Sequence, residues 1–126
     1  MANRRFEQFR LSAEKQVVDL FAVITIGATG APTLTRGKHI TSVTRDGAGQ
    51  YTIVLDDSFV QLIGMNVMFF ASTSAAAAPM VVLEANNIAS TKAFTIQCRA
   101  IDNSTATDPA EGEIMYLHLA LRNSSI

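Results

Sequence analysis

Between Ile114 and Leu121 the chain alternates: Met115, Leu117, Leu119 and Leu121 share one parity, and Ile114, Tyr116, His118 and Ala120 the other. Successive side chains of a strand point to opposite faces, so this period of two marks a strand with one face on a core. The pattern recurs in KAFTIQCRA, where Phe94, Ile96, Cys98 and Ala100 point inward and Thr95, Gln97 and Arg99 outward. It recurs again in YTIVLD, with Tyr51, Ile53 and Leu55 opposite Thr52, Val54 and Asp56. No helical period runs long enough for a crossover helix between parallel strands. The expectation is therefore an all-β fold, an antiparallel β-sandwich or barrel of about seven strands.

The remaining strands follow from β-branched runs and their punctuation. KQVVDLFAVITI, from Lys15 to Ile26, is apolar on both parities, which predicts a strand buried on both sides. GATGAP ends it, TLTRGK leads onward, and HITSVTR, His39 to Arg45, reads as a strand that turns at Asp46–Gly49, DGAG, into YTIVLD. Ser58 to Ile63 reads as one helical turn, MNVMFFAS and MVVLEA as strands, and STSAAAA, Ser72 to Ala78, as a surface loop. Residues 1–14 read as an N-terminal arm and 15–126 as a single β domain.

Composition narrows the function classes. Ten Lys and Arg stand against 11 Asp and Glu in 126 residues, a net charge of -1, which is unlike a protein that coats nucleic acid by neutralising phosphates. Charged residues make up 17% of the chain, against about 25% in ordinary soluble domains. That shortage points to an outer surface partly covered by something else. Ser58 to Leu83 carries no charge, but Gly64, Asn66, Pro79 and the Ser/Ala gap interrupt it, so no spanning helix and no membrane partner is expected.

Catalytic and cofactor signals are weak. GATGAP lacks the following helix that a phosphate loop needs and reads as a turn with positive φ. His39 and His118 have no metal-ligand spacing, and Cys98, the single cysteine, sits on an apolar parity as a small buried hydrophobe. Asp56 and Asp57 read as caps of the turn that follows. No enzyme activity, metal or cofactor is expected. Asp102, Asp108, Glu111 and Glu113 make an acidic loop of net charge -4, read as solvated or facing a partner, while residues 1–15 sum to +2 and carry two aromatics, Phe6 and Phe9. Opposite patches of this kind set encounter and register between copies or partners.

Three stretches together carry a resemblance: MANRRFEQFRLSAEK, then IGATGAPTLTRGKHITSVTRDGAGQYTIVLDD, then TATDPAEGEIMYLHLALRNSSI. With GAPTL, RGK, SVTR, YTIVLDD, DPAEGE and the terminal NSS, the chain resembles small virion structural proteins of tailed bacteriophages. Met65 to Thr91 departs most from the pattern. The resemblance implies a capsid decoration, or cement, protein that is made in the bacterial cytoplasm and bound to the outside of the major-capsid lattice. Its partners would be the major capsid protein and further copies of itself, as a dimer or trimer. Arg4, Arg5, Phe6, Phe9 and Arg10 are then expected as arm contacts, with Asp108 and Glu111 as rim charges. A tail, neck or fibre-anchor component is the alternative, and a carbohydrate-binding module is disfavoured by the lack of Trp.

Overall fold

The computed structural model describes residues 17–70, 80–99 and 106–122. Among these residues, eight strands form two antiparallel four-stranded sheets, packed face to face as a β-sandwich. The strands are β1 (Val17–Ile26), β2 (Pro32–Gly37), β3 (Ile40–Gly47), β4 (Gln50–Leu55), β5 (Gln61–Phe70), β6 (Met80–Asn87), β7 (Ala93–Arg99) and β8 (Ile114–Arg122). One sheet has the order β2-β1-β8-β5 and the other β3-β4-β7-β6. The edge strands β2 and β3 lie along one flank, where they touch. β5 and β6 are the other two edges.

The alternation read from the sequence is the alternation that builds the core. Tyr51, Ile53 and Leu55 of β4, Phe94, Ile96 and Cys98 of β7, and Met115, Leu117, Leu119 and Leu121 of β8 are all buried. Leu20, Ala22, Ile24 and Ile26 of β1 lie beside the β8 residues in the same sheet and, with them, face those of β4 and β7 in the other. Filling such a layer to crystal-like density is what fixes which face of each strand turns inward.

Several expectations are corrected. β1 is buried on one face only, because it lies in a sheet of a two-layer sandwich and no third layer covers it among the described residues: Phe21 is 63% exposed. TLTRGK is not a lead-in: all of it but Lys38 belongs to β2, paired with β1 around a bulge at Val23 and Ile24. Ser58 to Ile63 makes no helical turn. Phe59 is buried, and the strand β5 begins at Gln61, running on through MNVMFF. A short helix, α1 (Ile88–Thr91), joins β6 to β7 and buries Ile88. No helix among the described residues is long and apolar enough to cross a membrane. The arm expected over 1–14 and the Ser/Ala loop at 72–78 lie outside the described residues.

Candidate docking face

Two features stand out above the core: a polar clasp at one end of the sandwich, and an apolar surface on the outside of one sheet.

The clasp centres on Asp108. Arg45 Nε and Nη2 donate to its two carboxylate oxygens at 3.0 and 2.7 Å, and the Gly49 amide donates to Oδ1 at 2.8 Å. Tyr51, buried, donates its hydroxyl to the Gly30 carbonyl at 2.8 Å, with Asp108 Oδ1 3.4 Å away. These bonds tie the β1–β2 turn and the β3–β4 hairpin to the segment that precedes β8. The Arg45 guanidinium holds the Asp108 carboxyl below the usual range, opposed by partial desolvation and helped by the Gly49 amide. Burial, helped by the nearby carboxylate, pushes the Tyr51 hydroxyl well up. Two glycines make the close approach possible. A Cβ on Gly30, at φ +79°, would stand 2.5 Å from Asp108 Cγ, and one on Gly49, at φ +71°, 2.4 Å from the Cys98 carbonyl oxygen.

Asp108, expected as a rim charge, is partly exposed and already paired: its oxygens accept from the Arg45 guanidinium and the Gly49 amide. Glu113, also expected in a solvated loop, is 5% exposed. Glu111 does remain at the surface. Arg4, Arg5, Phe6, Phe9 and Arg10 lie outside the described residues. Cys98 is fully buried, and desolvation, with smaller contributions from Asp108 and Glu113, pushes its thiol up to about 12, far from a reactive thiolate. Asp57 caps the next amide, Ser58 N, at 2.9 Å, whereas Asp56 lies 3.2 Å from His39 Nδ1.

The apolar surface comes from the outward parity of β1, β8 and β5. Strand pairing sets Phe21 beside His118 and His118 beside Asn66, then Val23 beside Tyr116 and Tyr116 beside Met68. A third row runs Thr25, Ile114, Phe70. Phe21 is 63%, Met68 67%, Phe70 59% and Tyr116 39% exposed. His118 lies flat on Phe21, with ring centroids 4.7 Å apart and planes 9° from parallel, and its Nε2 is 3.0 Å from Asp19 Oδ1. The imidazole is thus anchored as part of the face. Between these side chains lies a shallow depression of about 310 Å³ with an almost wholly apolar lining. On the far side of Phe21 a second groove, of about 300 Å³, is edged by Arg36, Lys38 and His39.

The parity that Tyr116 and His118 share is legible in the sequence, whereas the face they form with Phe21 and Met68 is not. The available signal was the doubly apolar parity of β1. A strand with large hydrophobes on both faces in a two-layer sandwich must show one set to the outside. Contiguous apolar patches of this kind mark interaction sites on soluble proteins. Searches of protein-family models, curated proteins and solved structures returned no match to this chain.

Proposed function

We propose that the protein is a structural docking module, and specifically a bacteriophage capsid decoration protein that binds the outside of the major-capsid lattice and stabilises it against internal DNA pressure. The observation that supports docking is the outer face of the β2-β1-β8-β5 sheet, where Phe21, Met68, Phe70 and Tyr116 stand exposed side by side. Full burial of one such side chain is worth roughly 1.5–3 kcal/mol. Half-exposed as they are, the four together offer about 4 kcal/mol, or roughly three decades of affinity, before the cost of association is subtracted. The phage role rests on the sequence resemblance.

The mechanism needs no bond-making chemistry. A protein that binds the assembled shell and not the dissociated subunits raises shell stability by RT ln(1 + [L]/Kd) at every occupied site. Arg4, Arg5, Phe6, Phe9 and Arg10 are retained as arm contacts to the capsid or a neighbouring copy, and Glu111 as a rim charge. Asp108 is kept as a rim charge too, presented together with its ion-pair partner Arg45.

Binding to particles stripped of the protein tests this reading. Wild-type chain should rebind at a copy number approaching that of the major capsid protein, by gel densitometry, and Phe21→Ser should weaken rebinding about tenfold, the loss expected of one central aromatic. A few copies per particle would favour the tail or neck alternative. No rebinding at all would end the docking role on capsids.

A further inference from the structure

The four sheet edges are not alike. An edge strand exposes a row of unpaired backbone donors and acceptors, and proteins blunt it with Pro, charge, bulges or shortness. β2 is 6 residues long, starts at Pro32 and carries Arg36. β3 carries Arg45 and Asp46, with bulges near both ends. β6 is bulged at Glu84, a charged residue. β5 spans 10 residues, Gln61–Phe70, with no Pro and no charge, and its one irregularity, between Leu62 and Gly64, lies near its start. From Gly64 to Phe70 it is a regular edge with no second strand paired to it among the described residues. Its inward side chains Met65, Val67 and Phe69 pack on the core but stay only half-buried, and no strand pairs with their open side among the described residues.

We propose that two copies of this chain pair antiparallel through the free edges of β5, about a two-fold axis at Val67, joining their two four-stranded sheets into one. An extended chain is the ligand that satisfies such an edge. A second β5 fits because an uncharged strand meets its own antiparallel image without like charges opposed. The register follows from Gly64 and Phe70. Gly64 lies on the outer face with nothing within 4 Å of where a Cβ would be, and Phe70, on the same face, is 59% exposed. An axis at Val67 sets each Phe70 over the other copy's Gly64, the aromatic cover an edge glycine lacks. It also sets Met65 opposite Phe69 and Asn66 opposite Met68. An axis at Asn66 would run the ladder into the irregularity before Gly64, and one at Met68 would leave Gly64 bare. This pairing deepens the docking reading and rests on it, since it would give neighbouring copies on the lattice a contact with one another.

The full chain tests it in two ways. Chains carrying Asn66→Cys and chains carrying Met68→Cys are mixed and oxidised, Cys98 being buried and inert. The expected product is the mixed 66-to-68 disulfide, about fivefold or more over either like-with-like product, because directly opposed residues have Cβ atoms about 5 Å apart. A predominance of 66-to-66 or 68-to-68 links overturns the register and with it the proposal. By sedimentation, wild-type chain should dimerise, and Met68→Lys should raise the dimer Kd about tenfold or more. Phe21→Ser, two strands away, should shift it by no more than about twofold. Circular dichroism of Met68→Lys guards against misfolding. A wild-type monomer overturns the proposal, including one whose 64–70 amides resist hydrogen exchange, which would mean another segment of the same chain covers the edge. A monomer that still decorates particles sinks the β5 pairing and leaves docking standing. A dimer that fails to bind particles sinks decoration and leaves the pairing.

Discussion

The two flanks of the sandwich are finished differently. Along the β2/β3 flank the exposed strand residues are Thr33, Thr35, Arg36, Thr41, Thr44, Arg45 and Asp46, and the end of that flank is tied down by the Asp108 clasp. Along the β5/β6 flank the exposed residues include Ile63, Met68, Phe70, Met80, Val82 and Leu83. Both flanks close over the same core. A surface that ends in water favours side chains that hydrate well, and one that is covered in its working state is free to be apolar. Among the described residues, the strands of the β5/β6 flank carry one charged residue, Glu84, and those of the β2/β3 flank three, Arg36, Arg45 and Asp46.

Substitutions can break this contrast or sharpen it, and the largest effect should come from what the flanks share. Leu119→Ala, at a fully buried position of β8, should cost about 3 kcal/mol and lower the protection of both flanks together in hydrogen exchange. If one flank kept its protection, the sandwich would not be one cooperative unit.

The clasp should act on one side only. Asp108→Asn removes a bidentate ion pair and should cost about 2 kcal/mol in urea unfolding, with hydrogen-exchange losses confined to the β1–β2 turn and the β3–β4 hairpin. Its pH dependence has a definite sign. The carboxyl is held below its usual value in the folded protein, so its contribution is present above the unfolded pKa of about 3.9 and is lost as pH falls through the lower folded value. The stability gap between wild type and Asp108→Asn should therefore be constant from pH 7 down to about 4.5 and shrink below that. A gap that persists at lower pH would show that the clasp acts through packing and not through charge.

The smallest stability change belongs to the apolar flank. Met68→Gln should alter folding stability by no more than about 0.5 kcal/mol, because the side chain is already 67% exposed, while weakening any association that buries it. A loss of several kcal/mol would mean that Met68 is structural in the single chain, and the contrast between flanks would dissolve.

Much of the fold was legible because burial in a strand repeats every second residue. Tyr51, Ile53, Leu55, Phe94, Ile96, Cys98 and the four inward residues of β8 were assigned correctly from parity alone. β2 was missed because its Thr-rich text, PTLTRG, holds one large hydrophobe, Leu34, and an edge strand needs little more. The extension of β5 back to Gln61 was missed because Gly64 reads as a breaker, whereas here it sits beside an irregularity in the β5–β8 ladder. The pairing of Asp108 with Arg45 was not legible because the two are 63 residues apart, and no local pattern joins them.

By itself the sequence determined the class of fold and the inward set of most strands, since both follow from a period that each segment carries within itself. It also determined that the surface would be short of charge. Only the tertiary structure decided which strands are neighbours, and so brought Phe21, Tyr116 and Met68 onto one face and left β5 at an edge. Parity is local and can be read along the chain. Adjacency depends on which pairing of strands closes the core, a comparison among whole folds that no single segment records.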